Sequence, residues 1–301
     1  MRLFVTGGSG FIGSAVVPEL LGAGHEVAGL ARSDASAAVL AEAGATVLRG
    51  DLQDLDSLRR GAETCDGVVH LGFVHDFSDL SIGAAVDLRA VEAIGATLVG
   101  SGKPFVITTG TLLLALGEVG LPAGGFGTEE HVSHSAMPRV ASENAAIALA
   151  ERGVRSSAVR LSPSVHGVGD HGFVPILIGI AREKGVSAFV GDGANRWPGV
   201  HRLDAARLFR LVVEQAQAGS RWHGVGDEGV PFRDIAEVIG RHLGVPTRSI
   251  SSEEADAHFG FLGALVSLDN PTSNALTRER LGWEPVEPGL IADLDEGHYF
   301  T

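Results

Sequence analysis

The 301-residue chain is predicted to be an α/β protein, with a doubly wound parallel sheet followed by a smaller C-terminal α+β substrate domain. Three observations predict this. Short apolar runs alternate with longer helical patterns up to about Pro163, and strands linked by crossover helices imply a parallel sheet covered on both faces. The rhythm then changes to helices separated by short, isolated strands. A glycine-rich turn sits between the first apolar run and the first helical pattern.

Residues 3–6, 25–30, 46–49, 67–71, 105–108 and 157–160 read as six buried strands. Residues 13–21, 35–43, 54–60, 84–100 and 139–151 read as the helices between them. Gly22 and Gly24, Gly44 and Gly153 follow the last turns of helices, where a left-handed terminal residue is common. Past Pro163, helices are expected over 174–184, 204–218, 231–243, 253–266 and 277–281, the last closed by Gly282. Short strands are expected near 187–190, 222–225 and 248–250. No internal repeat, low-complexity tract or long linker interrupts the chain. A dinucleotide-binding domain over 1–165 and a substrate-binding domain over 166–301 are therefore expected to pack directly together, with segments of the C-terminal half free to return to the first.

Apolar residues make up 45% and charged residues 20%, the balance of a soluble globular protein. The net charge of −14 argues against nucleic acid and anionic membranes, which select basic patches. Cys65 is the single cysteine, so no internal disulfide is expected, and it reads as a small semi-buried apolar residue. The first strand leaves no room for a signal peptide, and apolar stretches such as 111–116 and 173–180 are far shorter than the roughly 20 residues of a membrane span. A cytoplasmic location is the expectation.

Residues 1–13 run from an apolar strand into Gly7, Gly10 and Gly13, after which a helix begins. The three glycines suit a tight turn, close approach of backbone to a pyrophosphate, and close packing of helix on strand. The helix N-terminus then offers free N–H groups and a favourable dipole to the anion. Set within a run of βα units, this pattern is specific for a dinucleotide.

The run Thr6-Gly7-Gly8-Ser9-Gly10-Phe11-Ile12-Gly13 resembles the glycine motif of the extended short-chain dehydrogenase/reductases, the Rossmann-like superfamily of NAD(P)-dependent epimerases and dehydratases. Gly50-Asp51-Leu52, His70-Leu71-Gly72, Gly191-Asp192-Gly193 with Arg196, His201-Arg202-Leu203-Asp204 and Leu281-Gly282-Trp283-Glu284-Pro285 extend the resemblance along nearly the whole chain. It implies a cofactor site drawn from Gly7, Ser9, Gly10, Phe11, Ile12, Gly13, Asp51, Leu52, Leu71, Gly72, Phe73, Thr108, Arg139, Pro163 and Val165. NAD-preferring relatives hold the ribose with an acidic residue after the second strand. Ala31 occupies that place here, followed by Arg32 and Ser33, whose guanidinium and hydroxyl suit a 2′-phosphate. NADP(H) is the expected cofactor, with NAD(H) as the alternative that Asp34 supports.

The reacting end departs from the family. Its members resemble one another in a Tyr-x-x-x-Lys pair, but this chain has one tyrosine, Tyr299, and two lysines, Lys103 and Lys184, none near the expected helix. Alignment on Gly153 puts Arg139 at the lysine position, Glu143 at a recurrent glutamate and Ser135 at the tyrosine, beside His134. The chain thus looks like an atypical subgroup in which His134 and Arg139 replace the pair. Pro138 in the first helical turn disfavours helical geometry at Met137 and leaves His134 in the entering loop. Imidazole can exchange a substrate proton near neutral pH, whereas arginine stabilises charge without shuttling protons. Thr109, with Thr111 as alternative, is the candidate hydroxyl at the end of the fifth strand. A polar loop histidine and strand-end hydroxyls bonded to backbone are the bland readings of these residues.

Thr111, His166, Phe173, Arg196 and Trp197 are candidate substrate residues; core packing is the plainer role for Phe173 and Trp197. Arg196 resembles an arginine that holds a nucleotide diphosphate in sugar-processing relatives. Residues 117–133 read as a lid. His131, His134, His166 and His171 lack a carboxylate at matching spacing, so no metal is expected. The leading function is NADP(H)-dependent oxidation or reduction of a small carbonyl or alcohol substrate. The alternatives are a sugar-nucleotide epimerase or dehydratase and a non-catalytic NADP(H)-binding redox sensor. The expected partners are the small-molecule substrate and, in a homodimer, a second copy of the chain.

Overall fold

The computed structural model describes residues 1–74, 80–116, 124–133 and 138–301. The first half alternates as the apolar runs require. The elements are β1 (Arg2–Thr6), α1 (Gly13–Gly22), β2 (Glu26–Ala31), α2 (Asp34–Glu42), β3 (Thr46–Arg49), α3 (Leu55–Thr64), β4 (Gly67–His70), α4 (Leu80–Leu98), β5 (Pro104–Gly110), α5 (Leu112–Leu116), α6 (Pro138–Ala148) and β6 (Arg155–Leu161). β7 (Ser164–His166), α7 (Phe173–Lys184), β8 (Ser187–Val190), β9 (Arg196–His201), α8 (Arg202–Gln215), β10 (Ser220–Gly224), β11 (Asp227–Pro231), α9 (Phe232–Leu243) and β12 (Thr247–Ile250) follow. The chain ends with α10 (Ala255–Phe259), α11 (Ala275–Leu281) and α12 (Leu290–Asp295).

Seven strands form one sheet in the order β10-β6-β5-β4-β1-β2-β3, all parallel. The order reverses between β1 and β4, and ligands of doubly wound sheets settle in the crevice at that switch point. Two cores cover the two faces. One joins α1, α8, Leu281 and Trp283 over β1; the other joins α3, α4 and α6 beneath it. Both are built of fully buried residues such as Leu20, Phe209, Phe105 and Ile94.

The segment from α8 to β10 thus lies with the large sheet, and the expected isolated strand near 222–225 is its seventh member. The rest of the C-terminal half forms a third core around Trp197, Phe232 and Leu294, between the three-stranded β11-β9-β7 sheet and the β12-β8 pair. The single helix expected over 253–266 is instead α10 flanked by two short 3-10 turns. Gly260 at φ 59° breaks it, because a left-handed residue cannot continue a right-handed helix. β7, β9 and β11 escaped the pattern because each is short or carries Gly, Pro and His among its apolar positions. Among the described residues, no helix is long and apolar enough to cross a membrane.

Candidate active site

The glycine turn has the close contacts its sequence calls for. Gly7 has φ 69°, and a Cβ there would lie 2.7 Å from the Gly72 nitrogen; one on Gly13 would lie 2.1 Å from the Gly7 carbonyl oxygen. The Gly10 N–H donates to Gly7 and the Ser14 N–H to Gly10. The N–H groups of Phe11, Ile12 and Gly13 have no such partner among the described residues, and α1 has neither a side-chain cap nor an acidic residue in its first turn. This is a helix end left open for an anion. Gly13→Ala is accordingly expected to weaken dinucleotide binding by roughly 100-fold or more, since only backbone movement relieves the overlap. Equilibrium titration with NADPH checks this; affinity within threefold of the parent contradicts it.

Ala31 is buried at the end of β2, while Arg32, Ser33 and Asp34 are exposed. Ser33 caps α2, its hydroxyl accepting from the Ser36 N–H at 3.2 Å. Asp34, the residue that supported NAD(H), is ion-paired with Arg49. Asp51 accepts from the Gln53 N–H at 2.9 Å and Leu52 packs beside Gly72. Ser9 lies half-exposed in the turn, and Pro163 and Val165 are half-buried beyond β6.

At the switch-point end of the sheet, a chain of polar contacts runs from β1 to α6. The Gly72 N–H donates to Thr6 Oγ1 at 3.1 Å, and Thr6 Oγ1 lies 2.7 Å from His70 Nδ1. On the other side of the ring, His70 Nε2 lies 3.3 Å from Asp87 Oδ1. Asp87 is buried. Burial opposes its ionisation, but the His70 hydrogen bond and the Arg139 guanidinium outweigh that and hold it below the usual carboxylate range.

Arg139, in the first turn of α6, donates to the Thr108 carbonyl at 2.7 Å, and its guanidinium lies 4.1 Å above the Phe73 ring and 3.9 Å from Asp87. The Leu71 N–H donates to the Thr6 carbonyl. Asp87 is not among the residues that the sequence singled out. A signal existed: residues 84, 87, 91, 94 and 98 form the buried stripe of α4, and a carboxylate at such a place needs a partner.

Thr109 is turned to a different task. Its hydroxyl donates to Glu143 at 2.9 Å, within a buried charge cluster. Glu143 also accepts from Arg160 Nε at 2.9 Å and Arg221 Nε at 2.7 Å. Burial raises the Glu143 pKa, yet the hydrogen bonds and charges of Arg160 and Arg221 overcome it and bring the carboxyl to about 2. His223 donates Nδ1–H to the Ser273 carbonyl at 2.7 Å, leaving Nε2 bare 3.5 Å from Arg160. Burial, with Arg160 second, pushes its pKa down to about 3. An unfolded histidine takes up its proton near 6.5, long before the folded one. Stability from this group is therefore full above about pH 6.5 and is lost as pH falls towards 3. Urea unfolding at pH 7, 5.5 and 4 is expected to show that decline, and a flat profile contradicts it.

His134 and Ser135 lie outside the described residues, as do 117–123 of the expected lid; 124–133 carry one bridge, Gly127 to Thr272. Thr111 is buried and accepts from the Asn270 amide at 3.0 Å. Trp197 belongs to the core rather than a substrate wall: it is 0% exposed, edge-on to Phe173 at 5.8 Å and to Phe232 at 5.1 Å. Arg196 forms a two-pronged pair with Asp269 (3.0 and 2.8 Å) and donates to the Gly124 carbonyl.

His166 is buried with Nδ1 2.9 Å from Asp293, and Tyr299 is spent on the Gly167 N–H and Asp170. Asp293, Glu296 and His298 bring one ligand atom each within 4.8 Å of one another, which fits a cation but belongs to the C-terminal unit. His131 accepts from the Thr128 N–H.

Sheet order, glycine turn and the Thr6-to-Arg139 chain define an NAD(P)-binding enzyme of the extended short-chain dehydrogenase/reductase type. The sequence profile of the NAD dependent epimerase/dehydratase family matches residues 3–99. An uncharacterized protein of Schizosaccharomyces pombe is 50% identical over all of both chains, and one of Saccharomyces cerevisiae is 48% identical over 98% of each. In fold, the chain is similar to the dTDP-glucose 4,6-dehydratase DesIV of Streptomyces venezuelae, solved with NAD and TYD bound. There the TM-score is 0.74 and the identity 22%, over 98% of this chain and 96% of that one. The chain belongs to the NAD-dependent epimerase/dehydratase family.

Proposed function

We propose that the chain is an NADP(H)-dependent oxidoreductase that reduces a small carbonyl or imine-like group, or oxidises the matching alcohol. The observation that carries this reading is the placement of Arg139. Its guanidinium is held between the Thr108 carbonyl, the Phe73 ring and Asp87 at the switch-point end of the sheet, where a family member needs its lysine. The cofactor, when bound, supplies or accepts a hydride. Arg139 would hold the nicotinamide ribose and stabilise negative charge on the substrate oxygen, with Asp87 fixing its direction. His134 would give the carbonyl oxygen its proton during reduction and take it back during oxidation.

Two features support the finer choices. Arg32 is exposed without an ion pair among the described residues, and Asp34 is already paired with Arg49, which favours a 2′-phosphate over a free ribose hydroxyl. Nε and Nη2 of Arg196 are occupied by Asp269 and Gly124, which favours a small substrate over a sugar nucleotide.

The absence of a tyrosine beside Arg139 keeps a second reading, a redox sensor that binds NADP(H) without turnover. Stopped-flow NADPH oxidation against a panel of small aldehydes, ketones and imines separates them. Substrate-dependent loss of NADPH absorbance is expected. Tight binding with no turnover on any panel member supports the sensor, and cofactor retained through purification with activity on a sugar nucleotide supports an epimerase or dehydratase.

A further inference from the structure

Phe11 sits in the glycine turn, and its ring is met by two residues from far along the chain. The guanidinium carbon of Arg202 lies 5.3 Å from the ring centroid, and the His171 ring stands edge-on at 5.7 Å. Arg202 is the first residue of α8, the helix that packs beside α1. The loop after β7 closes round it. A Cβ on Gly167 (φ 127°) would come within 3.3 Å of Arg202 Cγ, and one on Gly169 (φ 88°) within 3.9 Å of a guanidinium nitrogen. Glycine at both positions lets this loop follow the arginine closely.

Arg202 has no carboxylate partner among the described residues, although acidic residues outnumber basic ones by 37 to 23. The nearby acids are taken. Asp204 holds Arg207 and the N–H groups of Val286 and Glu287. Asp170 holds the Gly172 N–H and Tyr299. An ordinary surface arginine would be solvated; this one is half-buried and packed on a ring of the turn whose N–H groups at residues 11–13 are open. A cation set without an anion beside an open helix N-terminus matches a doubly charged ligand group.

We propose that Arg202 is a ligand of the cofactor's pyrophosphate, brought to the glycine turn by the C-terminal half of the chain. The inference rests on the dinucleotide reading of that turn. The pyrophosphate then receives donors from both halves: backbone N–H groups of α1 and the guanidinium that opens α8. Phe11 is the shared surface that holds the two in register.

The test compares the parent protein with Arg202→Met, which keeps a flexible stem on Phe11 and removes the charge, and with Arg202→Lys. NADPH affinity is read by nicotinamide fluorescence over a range of salt concentrations. Competition by adenosine 2′-monophosphate, which has no pyrophosphate, is read alongside, and thermal melting confirms that each variant is folded. Arg202→Met is expected to bind NADPH roughly 10- to 100-fold more weakly, with a shallower salt dependence, while Arg202→Lys recovers part of the loss. Affinity for adenosine 2′-monophosphate is expected to stay unchanged. NADPH affinity within twofold of the parent, or an equal loss for adenosine 2′-monophosphate, overturns the assignment. Failure of the parent protein itself to bind either dinucleotide overturns the cofactor reading along with it.

Discussion

His134→Ala is expected to slow NADPH-dependent turnover by about 10²–10⁴-fold while leaving NADPH affinity within a few-fold of the parent, the range typical of removing a general acid. The reasoning starts from what the site lacks. Tyr299 is the one tyrosine, and it is bound to Gly167 and Asp170. Arg139 is anchored at Thr108 and Phe73, and a guanidinium does not exchange protons in the working range. Thr109 gives its proton to Glu143. His134 stands five residues before Arg139 in the sequence, and imidazole is a group that titrates near neutrality. The separation of kcat from binding is the informative part. A loss confined to NADPH affinity would make His134 a binding residue, and an unchanged rate would remove it from the mechanism. Single-turnover kinetics at saturating NADPH read the two apart.

Glu143→Ala is expected to destabilise the fold by about 3–5 kcal/mol, the cost typical of leaving a buried charge without its partner. Arg160 is 0% exposed, and its guanidinium relies on Glu143 for two of its hydrogen bonds. Arg221 and Thr109 lose the same acceptor. The remaining contacts of Arg160, to the His131 carbonyl and neutral His223, are dipoles that offset little of a buried positive charge. Glu143→Gln, which keeps an acceptor oxygen, is expected to cost less than alanine. Urea unfolding measures both. A cost below about 1 kcal/mol, the range of a surface ion pair, would show that water reaches Arg160.

The two variants also separate the tasks of neighbouring residues. Thr108 and Thr109 are consecutive in β5, and alternate side chains of a strand point to opposite faces. The Thr108 hydroxyl donates to the His70 carbonyl at 2.9 Å, on the side of the Thr6-to-Arg139 chain. Thr109 turns to the Glu143 cluster that joins β6, α6 and β10. Glu143→Ala is therefore expected to act through stability, and His134→Ala through rate.

The parallel sheet was legible because its central strands, such as β1, β4 and β6, are buried on both faces, whereas β3, expected to be buried, is a partly exposed edge strand. Residues 46–49 and 187–190 are strands with the limits their apolar runs set, and the glycine turn lies where the residue spacing puts it. What the sequence hid is mostly long-range. Nothing local tells that β10 pairs with β6 across more than sixty residues, or that α8 lies beside α1. In sequence Trp197 reads as a core residue or a pocket wall, and its enclosure by Phe173 and Phe232, which decides between them, depends on three separate elements. Arg196 carries the family's signal for a diphosphate, but Asp269, 73 residues away, takes its donors. Asp87 could have been found by treating a charge on the apolar stripe of α4 as a question about its partner.

The dinucleotide site is the part on which every later step rests, and the proposed NADP(H) preference is argued from three residues at and just after the end of β2. Ala31 offers no carboxylate, Asp34 is paired with Arg49, and Arg32 is exposed without an ion pair among the described residues. Equilibrium titration of the parent protein and Arg32→Ala with NADPH and NADH tests this most directly. The parent is expected to bind NADPH at least about 10-fold more tightly than NADH, and Arg32→Ala to lose most of that preference by weakening NADPH alone. Equal or tighter binding of NADH by the parent, or an Arg32→Ala variant that keeps the full preference, would contradict the account.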